Sequence, residues 1–87
     1  MYQVELLPQA IDDLLHLDKP VAQRVLNKLR WLAENFESIR AEALVGPLAG
    51  LRKLRVGDYR VIYEADRENR LITIHLIGRR REIHHQP

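Results

Sequence analysis

The 87-residue chain contains no cysteine, one serine, one methionine, one phenylalanine and one tryptophan. Without thiols there is no disulfide staple, no thiolate zinc site and no cysteine nucleophile. That usage suits a reducing cytoplasm, where the chain is expected to reside. The lone Ser38 leaves no serine-nucleophile constellation, and no glycine-rich phosphate loop is present. No apolar run approaches the roughly 18 residues of a membrane span, and Met1 leads into an alternating segment instead of a signal peptide. A membrane partner is therefore not expected. His84 and His85 are adjacent and no acidic partner stands at ligand spacing, so no metal and no cofactor are expected.

What remains is 46% apolar and 30% charged, without repeats or low-complexity tracts. This predicts one domain over 1–87, because chains below about 100 residues rarely hold two cores. A domain of this size buries only roughly 60–65% of its unfolded surface, so its elements must pack hard on one another or on a partner. The net charge of +2 is unevenly placed. Residues 1–50 carry five Lys/Arg against seven Asp/Glu, whereas residues 51–87 carry nine against five and three of the four histidines. Such a basic half fits an anionic ligand on one surface, with a charge-guarded sheet edge as the plain alternative.

Tyr2 to Leu6 alternates and predicts a short strand. Pro8 suits the first turn of a helix over about 9–17, whose stripe is Ala10, Ile11, Leu14, Leu15 and Leu17. Asp18-Lys19-Pro20 marks a turn in which Asp18 caps a second helix reaching about Asn35. Its apolar face is Val21, Ala22, Val25, Leu26, Leu29, Leu32 and Ala33. Between Phe36 and Gly50 the pattern fails. Beyond it, Leu51 to Val56 alternates, Gly57-Asp58 makes a hairpin turn, and Tyr59 to Tyr63 is rich in strand formers. After a polar turn over 65–70, Leu71 to Ile77 is the most apolar strand, ended by Gly78. The order β-α-α-β-β-β predicts an α+β two-layer sandwich: a helical hairpin packed on a mainly antiparallel four-stranded sheet.

The sheet's other face is then open, and alternation places Lys53 and Arg55 on it. Arg60, Arg80 and His84 come from the neighbouring strand and the tail and complete a basic set. Arginines suit phosphate through bidentate bonds and a charge that does not titrate away. A lysine near a ribose 2′-hydroxyl and a histidine near the departing 5′-oxygen complete the parts for metal-independent RNA cleavage through a 2′,3′-cyclic phosphate. A plain nucleic-acid-binding face needs the same residues and stays open as an alternative. His75 alternates with Ile74 and Leu76 and reads as a structural histidine. Trp31 lies opposite the apolar stripe of helix two, beside Gln23, Asn27 and Glu34. It reads either as an anchor for a partner or as packing beneath the 36–50 segment.

The run Leu51-Arg52-Lys53-Leu54-Arg55-Val56-Gly57-Asp58-Tyr59-Arg60-Val61-Ile62-Tyr63 resembles the RelE/ParE superfamily of bacterial toxins. So do Leu44-x-Gly46 with Gly50-Leu51, and the tail Ile77-Gly78-Arg79-Arg80-Arg81-Glu82-Ile83-His84. The element order extends the resemblance over essentially the whole chain. It implies the toxin of a type II toxin–antitoxin pair, with a fold comparable to small microbial ribonucleases. For the RelE-like branch it implies a ribosome-dependent mRNA endonuclease, with the 70S ribosome, mRNA and a RelB-like or other small antitoxin as partners. By position, Lys53 matches the lysine at the 2′-hydroxyl, Arg60 and Arg80 match the phosphate-stabilising arginines, and His84 falls near the leaving group. Arg55 supports the site, with Arg52, Arg79 and Arg81 as further RNA-binding residues. Glu42 corresponds to a glutamate base of YoeB-like relatives, and Trp31 is a candidate antitoxin contact. The rival within the superfamily is a ParE-type poison of DNA gyrase that does no chemistry on RNA. Two departures stand out: Leu51 replaces a basic residue of some ribosome-dependent members, and His84 stands where tyrosine is commoner.

Overall fold

The structure is a computed structural model and describes residues 1–38, 42–43 and 50–79. It contains β1 (Gln3–Leu6), α1 (Pro8–Leu15), α2 (Lys19–Asn35), a 3-10 turn (Phe36–Ser38), β2 (Glu42–Ala43), β3 (Arg52–Val56), β4 (Tyr59–Asp66) and β5 (Leu71–Arg79). The sheet order is β1-β5-β4-β3-β2, with β1 parallel to β5 and every other pair antiparallel. The expected four strands form the frame. β2 adds a fifth at the edge, and two residues are too few to show an alternation in sequence. β5 also runs through Gly78 to Arg79 instead of stopping there, because β4 supplies partners that far: Arg60 faces Gly78 and Tyr59 faces Arg79.

Both helices pack on one face of the sheet, α1 against β5 and β1, α2 against β1 and β3. Pro8 lies in the first turn of α1, where a missing N–H costs nothing, and the Ile11 N–H reaches the Leu7 carbonyl at 3.0 Å. Asp18 is the N-cap residue of α2, yet its side chain makes no capping bond. Its charge still lies at the positive end of the helix dipole. The buried stripe is narrower than the apolar pattern suggested. Ala10, Val25, Leu29, Leu32 and Ala33 are buried, while Ile11 and Leu26 are exposed and Leu15 is 77% exposed. Leu26 is rotated about 100° from Val25, which carries it off the face that meets the sheet.

Facing the helices are Val61, Tyr63, Ile72, Ile74 and Ile77, with Tyr2 and Phe36 closing the end at a ring separation of 4.8 Å. The Tyr2 hydroxyl donates to Glu37, which also holds Arg67 at 2.9 Å, so β1, the 3-10 turn and the β4–β5 turn are tied together. The hydrogen bond to the Glu37 carboxylate, followed by burial, raises the pKa of Tyr2. Along the edge of β5 that continues past β1, the Ile77 N–H is taken up by the Asp13 carboxylate at 2.9 Å, which satisfies a donor the sheet itself leaves unpaired.

The Tyr63 hydroxyl is buried and, among the described residues, meets no hydrogen-bond partner. Burial raises its pKa, against the opposing charge of Arg52. A buried unsatisfied hydroxyl costs roughly 1–3 kcal/mol. The Tyr63→Phe protein is therefore expected to be more stable by about 1 kcal/mol, read as a melting temperature about 4–8 °C higher. A lower melting temperature would show that the hydroxyl is bonded in solution.

Candidate nucleic-acid interface

The β3–β4 hairpin sets the geometry. Gly57 has φ +59°, in the left-handed region that glycine tolerates, and Asp58 does not share it, an arrangement that suits a two-residue type II′ turn. With Val56 opposite Tyr59, the register continues as Arg55 with Arg60, Leu54 with Val61, Lys53 with Ile62 and Arg52 with Tyr63. Directly opposed residues share a face. Leu54, Val61 and Tyr63 are in the core, so Lys53, Arg55, Arg60 and Ile62 lie on the face away from the helices.

On that face Arg55 is exposed, Lys53 is half-buried and Arg60 is buried at 4% exposure. Like charges directly opposite one another in a ladder cost a sheet stability. A phosphate between two guanidinium groups turns that cost into two sets of charge-assisted hydrogen bonds. On the other side of Arg60 its register partner is Gly78. The β2–β3 register sets Glu42 opposite Lys53, which brings these two backbone positions side by side.

Other basic positions lie elsewhere. Arg52 is on the helix side of the sheet, its guanidinium 5.7 Å from the Phe36 ring. Arg79, the register partner of Tyr59, is also on the helix side and donates to the Tyr59 hydroxyl at 3.3 Å. Both were expected to support RNA binding, but strand alternation turns them away from Lys53. Arg79 lines a groove of about 460 Å³ with Asp12, Asp13, His16 and Asp18, whose carboxylates repel phosphate. In that groove the His16 Nδ1–H donates to the Asp12 carbonyl at 2.7 Å, which with the nearby Asp12 carboxylate raises the His16 pKa. Arg80, Arg81 and His84 fall outside the described residues. Trp31 is 38% exposed, with the Lys28 ammonium 4.0 Å from its ring centre.

Sequence reading missed one pair on the open face. Glu64 and His75 meet at 2.7 Å between Oε1 and Nε2. His75 was expected to be structural. A bulge lies at this point: Ile62 faces Leu76 and Tyr63 faces Ile74, so His75 has no partner of its own across the ladder. Nothing in the apolar alternation of β5 marks that break. Among the described residues no group of three or more histidines and carboxylates is poised for a metal. No helix among them is long and apolar enough to cross a membrane.

Residues 4–84 match the family described as the ParE toxin of the type II toxin–antitoxin system, parDE. No curated protein sequence matches the chain. Among solved structures, the toxin–antitoxin complex RelBE2 from Mycobacterium tuberculosis is similar with a TM-score of 0.81 at 26% identity, over 91% of this chain and 98% of that one. The RelE–RelB complex from Pyrococcus horikoshii gives 0.69 at 27% identity, over 91% and 94%. The isolated RelE toxin of E. coli shares the fold, with 0.74 at 22% identity over 91% and 84%. The basic sheet face, the Gly-Asp-Tyr-Arg hairpin and the family match over 4–84 agree: this chain belongs to the ParE toxin family and is a type II toxin of the RelE/ParE superfamily.

Proposed function

We propose that the chain acts as a ribosome-dependent, metal-independent mRNA endonuclease of the RelE kind. The observation that carries this reading is the hairpin register that sets Arg55 beside Arg60, with Lys53 two residues before Arg55 on the same face away from the helices. In the reaction the 2′-oxygen attacks phosphorus, the bond to the 5′-oxygen breaks, and a 2′,3′-cyclic phosphate is left. Lys53 stabilises or orients the 2′-hydroxyl, Arg60 and Arg80 hold the charge that builds on the phosphoryl oxygens, and His84 gives a proton to the departing 5′-oxygen. Arg55 supports the phosphate. Glu42, opposite Lys53 in register, is a candidate acceptor for the 2′-hydroxyl proton. The sparse acid–base equipment suits a reaction in which the ribosome positions the message. The partner that neutralises the toxin is a small antitoxin, with Trp31 as a contact; two of the similar structures are toxin–antitoxin complexes.

The test is primer extension on a reporter mRNA in a purified translation system, with and without ribosomes, for wild type and Arg80→Ala. Cuts that need ribosomes and vanish in the variant are the expected result. The second reading, a gyrase poison, is favoured by the ParE description of the matching family. Intact mRNA together with accumulating cleaved gyrase–DNA complexes would decide for it.

A further inference from the structure

The open face carries a polar pair that the phosphate chemistry does not use. Glu64 alternates with Tyr63 and Ala65, both turned to the core, so its carboxylate lies on the same face as Lys53, Arg55 and Arg60. His75 follows Thr73, the register partner of Glu64, by two residues, so alternation sets it diagonally across from that carboxylate on the same face. A bulge lies beside it: Ile62 faces Leu76 and Tyr63 faces Ile74, so Leu76 stands on this face next to His75. Both side chains remain accessible, His75 at 29% and Glu64 at 53%.

His75 takes one lone pair of the Glu64 Oε1, so both carboxylate oxygens can still accept a further hydrogen bond. Glu64 follows Arg60 by four residues along β4, a separation of about 13 Å. Between them lie Ile62, fully buried, and Leu76, an apolar step across the face. One end of the face therefore suits phosphate and the other suits a hydrogen-bond donor. A single strand of RNA presents both, since its unstacked bases are read at their Watson–Crick edges and stacked on flat side chains, histidine included.

We propose that Glu64 and His75 form a base-reading subsite that selects guanine in single-stranded RNA. Guanine offers two adjacent donors, N1–H and the 2-amino group, which match the two oxygens of one carboxylate. Uracil offers a single donor flanked by carbonyl acceptors that a carboxylate repels. The imidazole, oriented by Glu64, presents its ring to the base. Glu5, across Thr73 from Glu64, and Lys53, opposite Ile62, are the charged groups on the flanking strands. The substrate assignment deepens the endonuclease reading, whereas the binding site itself can be tested without cleavage.

The direct test follows the imidazole NMR signals of His75 during titration of the free toxin with guanosine and uridine 3′-monophosphates. The expected result is that guanosine monophosphate shifts the His75 signals and binds at least tenfold more tightly than uridine monophosphate. Glu64→Gln, at an exposed position, should erase that preference while its thermal melt stays near wild type. His75→Asn should weaken both nucleotides. Equal affinity for the two nucleotides, or a preference that survives Glu64→Gln, overturns the proposal. Guanosine selectivity without any mRNA cleavage would sink the endonuclease reading and leave the subsite standing. Cleavage without selectivity would do the reverse.

Discussion

An Arg60→Lys protein is expected to keep its fold and to cleave mRNA about 10²–10³-fold more slowly than wild type. Arg60 is buried, so alanine at this position would remove a charge and open a cavity together. Lysine keeps the charge and most of the stem but loses the planar fork that grips two phosphoryl oxygens at once. In the register Arg60 lies between Arg55 and Gly78, and the proposed reaction assigns to it the negative charge that builds on the phosphoryl oxygens. A loss of rate with an unchanged melting temperature would assign the defect to the chemistry. Arg60→Ala should abolish cleavage altogether. The measurement is single-turnover primer extension on ribosome-bound message, paired with circular dichroism melts. Wild-type rates in the lysine variant would mean that Arg60 is a packing residue and that the scissile phosphate lies elsewhere.

The second large effect is on stability. Leu32 is wholly buried in α2, where the helix crosses the sheet, and Leu32→Ala should lower stability by about 3 kcal/mol. A domain of this size commonly has about 5–15 kcal/mol in total, so the loss is a large share and lowers the melting temperature by about 15 °C. Leu15 is the internal control. It belongs to the same kind of apolar pattern but is 77% exposed, and Leu15→Ala should stay within about 0.5 kcal/mol of wild type. Urea unfolding of both variants checks the pair. Equal effects would mean that the two helices pack on the sheet through different faces from those described.

The basic residues on the sheet face away from the helices were readable because the β3–β4 hairpin is local. A two-residue turn at Gly57-Asp58 forces Arg55 to face Arg60, and period-two alternation does the rest. The same rule could have separated Arg52 from Lys53, since neighbours in a strand point to opposite faces. The chain's Leu-Arg-Lys-Leu-Arg-Val-Gly-Asp-Tyr-Arg run also carries the family resemblance, because it joins a turn requirement, a core pattern and a charge pattern in a single stretch.

Amphipathic periodicity and turn chemistry thus determine from sequence alone that the chain builds β-α-α-β-β-β, with one apolar and one basic sheet face. Three matters were decided only by tertiary structure. Which apolar helix positions are buried depends on how each helix lies across a twisted sheet, and this leaves Leu15 and Leu26 outside the core that takes Leu32. The edge strand β2 exists through its pairing with β3, not through any pattern of its own. The meeting of Glu64 with His75 depends on the β4–β5 register that sets Glu64 opposite Thr73, and the bulge beside it shifts the register by one residue and turns Leu76 to the same face. A single-residue shift reverses the face on which a side chain emerges, and no local propensity records it.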